Sequence, residues 1–272
     1  MVVVGGGPVG CEYGSVFTAL GVEVTLLDLA DRLLPFMDAE ISGVLAAAFA
    51  GMGMRLVLGS GAAAVERVDG ALRVSLAGGA RLHPEKVLFA AGRKSNTEPL
   101  GLQEAGMETD ARGRIVVDHT YQTTAEGIYA AGDVIGAPTL ASVSMEQGRV
   151  AACHAFGIPC KRTLDPLPVH GVYAIPEAAM VGMTEEAARG AGIDCAVRRG
   201  WFQHSPRAQI AGATHGLIKL VLRRDDHRLL GVHIVGEIAG ELIHQGQATI
   251  GCGLGIDTFI HRTFNIPTFS ET

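Results

Sequence analysis

The sequence predicts an α/β fold that opens on a parallel sheet, and three observations predict it. Short β-branched runs, Val2-Val3-Val4 and residues 22–28 (VEVTLLD), alternate with stretches of helical spacing. A glycine run, Gly5-Gly6-Gly7, joins the first of these strands directly to the first helix. The 272 residues are 48% hydrophobic and only 18% charged, which supplies real cores and excludes a disordered chain.

The elements follow in order. Val2–Val4 reads as a buried strand, and the helix after the glycines runs to about Leu20, where Gly21 stops it. Residues 22–28 form the second strand. Asp38 is placed to cap a helix carrying Ile41, Val44, Leu45, Ala48 and Phe49 on one face; Gly51 and Gly53 end it. Arg55–Leu58 is the third strand, and this alternation implies right-handed parallel crossovers. Asp69-Gly70 and Gly78-Gly79 then separate alternating runs at 65–68, 72–76 and 81–87, an antiparallel meander. Residues 87–91 are a fully apolar strand ending at Gly92-Arg93, where a domain crossing is expected. Residues 115–117 and 128–131 read as short strands, and 138 to about 156 as a helix. Asp165-Pro166-Leu167-Pro168 has the composition of a linker. Beyond it, Leu217–Arg223 and Leu229–Val235 form a hairpin, with a helix from about Ile238 to Thr249. No sequence period of about 20–50 residues repeats, which excludes a solenoid.

Composition narrows the function classes. Lys+Arg number 22 against 28 Asp+Glu, a net charge of −6 without a basic cluster, so neither nucleic acid nor a membrane surface is an expected partner. The longest uncharged runs, 41–54 and 242–256, are broken by glycines or by His244 and glutamines, and are shorter than the ~18 apolar residues of a membrane span. The first basic residue is Arg32, so no signal peptide is expected and the expected location is the cytoplasm. Five irregularly spaced cysteines do not form a disulfide framework. Cys11 on the first helix reads as packed, and Cys153 with Cys160 as a poor redox pair. Glu241-x-x-His244 has metal-helix spacing but no second copy, so no metal site is expected. A Gly-x-Ser-x-Gly nucleophile elbow is absent.

The chemistry lies at the first turn. Gly5-x-Gly7-x-x-Gly10 follows a strand, opens a helix, and is followed about 20 residues on by Asp28 at the end of the next strand. Gly5 permits the tight turn, Gly7 lets the backbone approach a pyrophosphate, and Gly10 lets the helix pack closely. The helix N-terminus offers N–H groups to the phosphates, and Asp28 offers a carboxylate to an adenosine ribose. The alternative is a glycine-rich structural turn with an incidental Asp. Asp28 favours NAD, because it repels the 2′-phosphate of NADP; Arg32 is placed either to offset that or to ion-pair at the surface. Both nucleotides therefore stand.

Further motifs carry a resemblance. GGGPVGCEY (5–13), Gly92-Arg93-Lys94-Ser95-Asn96, GIYAAGDV (127–134), YAIPEAAMVG (173–182) with Thr184-Glu185, and FNIPTFSE (264–271) occur in order over essentially the whole chain. Together they resemble the flavin-dependent pyridine nucleotide–disulfide oxidoreductases. GCEYGSVF, DVIGAPTLAS and FNIPT are most similar to the soluble, Si-specific transhydrogenase branch of that family. The resemblance implies a Rossmann-like NAD(P)-binding domain over 1–91, the C-terminal remnant of an FAD-binding domain over 92–160, and an α+β interface (dimerisation) domain over 161–272. Full members begin with a flavin domain bearing its own Gly-rich turn, so a fragment truncated at both ends is expected.

The resemblance also implies FAD, NAD and NADP as cofactors, a homodimer or larger assembly, and hydride transfer from NADPH through flavin to NAD. Gly92 and Asp133 would bind cofactor, Asp133 at the ribityl–phosphate region. Backbone around Leu140 and Ala141 would approach the isoalloxazine ring, and Glu12 would help hold the nicotinamide. No catalytic side chain is assigned. Dihydrolipoamide dehydrogenases carry a His before the Pro of the terminal motif, paired with a Glu five residues later; here those positions are Ile266 and Glu271. A dihydrolipoamide dehydrogenase-like disulfide oxidoreductase is the alternative within the family. A flavin-free nucleotide-binding fragment is the alternative outside that chemistry.

Overall fold

Strand and helix alternate at the start of the chain: β1 (Val2–Val4), α1 (Pro8–Ala19), β2 (Thr25–Asp28), α2 (Ala39–Gly51) and β3 (Arg55–Leu58). An antiparallel meander follows, β4 (Ala62–Val68), β5 (Ala71–Leu76) and β6 (Arg81–Leu82), before β7 (Val87–Phe89) returns to the first sheet. In the computed structural model, which describes residues 1–272, the four parallel strands lie in the order β3-β2-β1-β7. The second strand starts at Thr25, three residues later than its β-branched run suggests, because Thr25 is where pairing with Val2 and Arg55 begins. Asp38 caps α2 as expected, its carboxylate accepting the Glu40 N–H at 3.0 Å.

Residues 93–168 form a compact unit of their own. It contains α3 (Ala141–Ala155) and a small apolar cluster of Leu102, Ile115 and Ala130. The strands expected at 115–117 and 128–131 do not form; only single bridges occur, among them Thr109 with Ile115 and Gln122 with Tyr129. Local turn chemistry competes with the ladders. Asp110 accepts the backbone N–H groups of Arg112 and Arg114, and Asp118 those of Thr120 and Gln122. The helix also begins later than expected, after Leu140.

The remaining elements are β8 (His170–Val172), β9 (Ala178–Gly182), α4 (Glu185–Gly190), β10 (Cys195–Trp201), α5 (Pro206–Ala211), β11 (Leu217–Arg223), β12 (Leu229–Val235), α6 (Ala239–Gly251) and α7 (Asp257–Ile260). Five of them make an antiparallel sheet, β10-β11-β12-β9-β8. Residues 169–272 and 1–92 are one compact unit with a shared core, in which Val3, Leu26, Leu45 and Phe49 cluster with Val172, Met180, Leu217 and Val235. Helix α2 packs against β3 and against β11 and β12, so its apolar residues serve both sheets. Full burial of Leu45 or Phe49 stabilises the fold by about 1.5–3 kcal/mol each. No helix is long and apolar enough to cross a membrane.

Candidate functional site

The turn between β1 and α1 places three glycines under three different demands. Gly5 adopts φ +115, and a Cβ there would lie 2.4 Å from the Ala90 carbonyl oxygen. At Gly10 a Cβ would lie 1.8 Å from the Gly5 oxygen, so only glycine lets the helix sit on the turn. Gly7 is different. Its backbone is ordinary extended chain (φ −75, ψ −176), and nothing lies within 4 Å of where its Cβ would be. Neither conformation nor packing inside the protein requires glycine at position 7. The open space it leaves lies at the start of the 12-residue α1, which has no side-chain cap. The first-turn N–H groups and the positive end of the helix dipole are thus left for an anion.

Asp28 ends β2 beside this turn. One carboxylate oxygen accepts the Gly6 N–H, and the other accepts the Ala30 N–H at 2.7 Å. A Cβ on Gly6 would approach the Asp28 carboxylate to 3.1 Å, so the middle glycine also has a role, one that the spacing motif does not mark. The structure therefore brings Gly5, Gly7, Gly10 and Asp28 together. Cys11 lies directly behind them, fully buried, its thiol donating to the Gly6 carbonyl at 3.4 Å. Burial, reinforced by the Asp28 and Glu12 charges, pushes that thiol up to about 12, so it is packing and not a nucleophile.

Glu12, one turn along, accepts the Tyr173 N–H at 3.0 Å, and Ser15 accepts the Ile175 N–H at the same distance. These two side chains of α1 tie down the segment between β8 and β9. Gly92 adopts φ +125 with open space around it. The other expected site residues belong to the unit 93–168. There, Asp133 pairs with Arg93 at 2.7 Å, in a 3₁₀ turn that follows Gly132, whose N–H is held by the buried Gln147 side chain at 2.7 Å. Leu140 precedes α3, its carbonyl accepting both the N–H and the hydroxyl of Ser144; Ala141 is the first helical residue, and no side chain caps it.

Comparison with known proteins adds to this geometry. Residues 1–148 match the family described as pyridine nucleotide-disulphide oxidoreductase, and residues 169–272 match the dimerisation domain of the same family. The chain belongs to the pyridine nucleotide-disulphide oxidoreductases. It is 42% identical over 271 residues to the soluble pyridine nucleotide transhydrogenase of Mycobacterium bovis, matching all of this chain and 58% of that protein. It is 40% identical to the Serratia proteamaculans protein of the same name, again over all of this chain and 59% of the relative. The chain thus spans a little under three-fifths of the length of these relatives. Among solved structures, LpdA from Mycobacterium tuberculosis superposes with a TM-score of 0.89 at 31% identity, covering 99% of this chain and 59% of that one. The HOCl-induced flavoprotein disulfide reductase RclA from Escherichia coli superposes with 0.93 at 29% identity, covering 99% and 62%.

The chain also contains a charged cluster that its sequence does not reveal. Lys219 on β11, only 3% exposed, is 2.8 Å from Asp38, 3.1 Å from Glu40 and 2.7 Å from Glu185. Arg199 on β10 closes on the Glu40 carboxylate with two hydrogen bonds, 2.6 and 2.9 Å. The cluster joins the cap of α2 to the five-stranded sheet and to the start of α4. Burial works against the Lys219 charge, but its three carboxylates outweigh it and hold the ammonium above its usual range. Local sequence pattern does not reveal this buried ion pair, because Lys219 and Asp38 are 181 residues apart.

Proposed function

We propose that this chain supplies the nicotinamide-nucleotide site of an FAD-dependent oxidoreductase that passes a hydride from NADPH to NAD, a Si-specific transhydrogenase. In this reading residues 1–91 are the NAD(P)-binding domain, 92–160 belong to the flavin-binding domain, and 161–272 are the interface domain of a homodimer. The observation that carries it is the open space at Gly7, at the uncapped start of α1, beside the fixed carboxylate of Asp28. Gly5 and Gly10 shape the turn, Gly7 and the first-turn N–H groups of α1 hold the pyrophosphate, and Asp28 receives the ribose hydroxyls. Glu12 stands on the same helix for the nicotinamide end. Gly92, Asp133, Leu140 and Ala141 serve the flavin, with the uncapped α3 N-terminus suited to its polar edge. Bound FAD supplies the two-electron carrier between the nucleotides. The similarity to soluble transhydrogenases at 42% identity supports the choice of reaction, and Ile266 supports it against dithiol exchange.

The test is direct. Calorimetric titration of the purified chain with NADH is expected to show binding, and Gly7→Val to abolish it by filling the pyrophosphate space. Because no protein atom lies near that Cβ, the variant keeps its fold, and unchanged circular dichroism is the control. Undiminished NADH affinity in Gly7→Val would place the nucleotide elsewhere.

A further inference from the structure

The segment that follows Asp28 is pinned to the glycine turn at both ends. The Asp28 carboxylate accepts the Gly6 N–H, and the Gly6 carbonyl accepts the Leu34 N–H at 3.0 Å. Arg32 projects from this short loop, about one-third exposed. Its guanidinium is not free: one nitrogen donates to Glu186 at 3.2 Å and another to the Pro35 carbonyl at 2.9 Å. Glu186 reaches it from α4, 154 residues away in sequence, and the same carboxylate oxygen also accepts the Ala39 N–H at 3.0 Å. We infer that Glu186 sets which nucleotide this site takes, by competing with the 2′-phosphate of NADP for Arg32.

The inference rests on the nucleotide reading of the Gly5–Gly10 turn and adds a selectivity device to it. With the Arg32–Glu186 pair closed, the Asp28 carboxylate faces a ribose with no compensating cation, which suits the two hydroxyls of NAD(H). An NADP 2′-phosphate brings about −1.5 to −2 charges against the single charge of Glu186, and can take guanidinium nitrogens in pairs. The existing contact is one hydrogen bond to an oxygen already shared with Ala39, at a position where ion pairs are weak. The phosphate therefore wins Arg32 at small cost. The site prefers NAD(H) modestly and still admits NADP(H), as a protein exchanging hydride between the two must.

The test measures Kd for NADH and NADPH with the purified chain and with Glu186→Gln, Arg32→Gln and the double variant. Gln at 186 keeps an oxygen for the Ala39 N–H, and NADH binding reports that the site is intact. Glu186→Gln is expected to raise NADPH affinity relative to NADH about two- to fivefold, the worth of an exposed ion pair. Arg32→Gln is expected to lower the same ratio about tenfold or more, as a lost charge-assisted contact does. In the Arg32→Gln background the gain from Glu186→Gln should vanish. A ratio that Glu186→Gln does not change, with both nucleotides binding, overturns the inference and leaves the nucleotide site standing. Failure of the wild-type chain to bind either nucleotide overturns both.

Discussion

The glycines of the first turn separate what folding needs from what binding needs. At Gly5 and Gly10 an added Cβ strikes backbone oxygen at 2.4 and 1.8 Å, so those positions are fixed by the fold whether or not anything binds. At Gly7 neither backbone conformation nor packing asks for glycine, and only the proposed nucleotide gives the position a role. Asp28 orders the turn by accepting the Gly6 and Ala30 N–H groups, and in the proposed function it also faces the ribose. Asp28→Asn should remove the charge while keeping one acceptor oxygen for the turn, its NH2 falling toward the other backbone N–H, with circular dichroism as the control on folding. NADH affinity should then fall several-fold while NADPH affinity rises, since the repulsion of the 2′-phosphate is gone; equal changes for both would show that Asp28 does not face the ribose. This cluster was legible in the sequence because a tight turn and the end of the neighbouring strand are set by local spacing. Arg32 was not. Its sequence context left a phosphate partner and a surface ion pair equally open, and the residue that occupies it, Glu186, comes from a distant segment.

At the scale of elements, the buried cluster around Lys219 is where α2, α4, β10 and β11 meet. Asp38 is fully buried and serves three times, as the cap of α2, as the acceptor of the Glu185 N–H at 3.2 Å and as the partner of Lys219. Lys219→Met would leave that carboxylate without its cation, a change that costs about 3–5 kcal/mol in comparable sites. Adding Asp38→Asn, which keeps an oxygen for the cap but turns an NH2 toward the Glu185 N–H, should recover part of the loss, and chemical denaturation measures both. The cluster also sets a pH window. The Arg199 hydrogen bond, with Lys219 behind it, holds Glu40 below its ordinary 4.5, and Lys219 does the same for Glu185. Carboxylates lowered on folding contribute stability that is complete above about 4.5 and is lost as pH falls through their folded values. Lys219, raised on folding, contributes fully below 10.5 and loses its contribution as pH rises through its higher folded value. His233, buried across the ladder from Lys219, is lowered by burial, so its contribution begins to fall below 6.5. The Cys11 thiol, raised by burial from 9.0, begins to lose its contribution above about pH 9. Thermal midpoints should therefore be flat from near neutral to about pH 9, and the acid-side decline should be shallower in Lys219→Met. The hairpin β11–β12 was legible because its strands alternate around a polar turn. Strand β9 (AAMVG) was not, since alanine has no strand preference and its burial comes from neighbours on both sides.

At the scale of the whole chain, residues 1–92 and 169–272 share one core, and the first 92 residues read in isolation give no hint of it. Local patterns identify a parallel sheet; they cannot say that α2 will be buried a second time by strands more than a hundred residues later. The terminal motif was legible, and it supports the proposed choice of reaction. Thiol–disulfide exchange near neutral pH needs a group that takes a thiol proton, and in the disulfide branch a His before the terminal Pro fills that place. This chain has Ile266 there, a side chain with no proton to exchange and 65% exposed. Its would-be partner Glu271 instead lies 3.5 Å from the Ser205 hydroxyl. His261 lies five residues upstream of Ile266 and does not replace it in the motif. Hydride transfer between nucleotide and flavin moves no thiol proton, so the same substitution costs that reaction little. The full-length, FAD-loaded protein is therefore expected to reduce a thio-analogue of NAD with NADPH and to show negligible oxidation of dihydrolipoamide. Because Ile266 carries no catalytic proton, Ile266→Ala should lower the transhydrogenase rate less than tenfold, whereas loss of an acid–base group costs about 10²–10⁴-fold. Robust dihydrolipoamide turnover with slow exchange between nucleotides would instead assign the chain to the disulfide branch and require a base from outside the terminal motif.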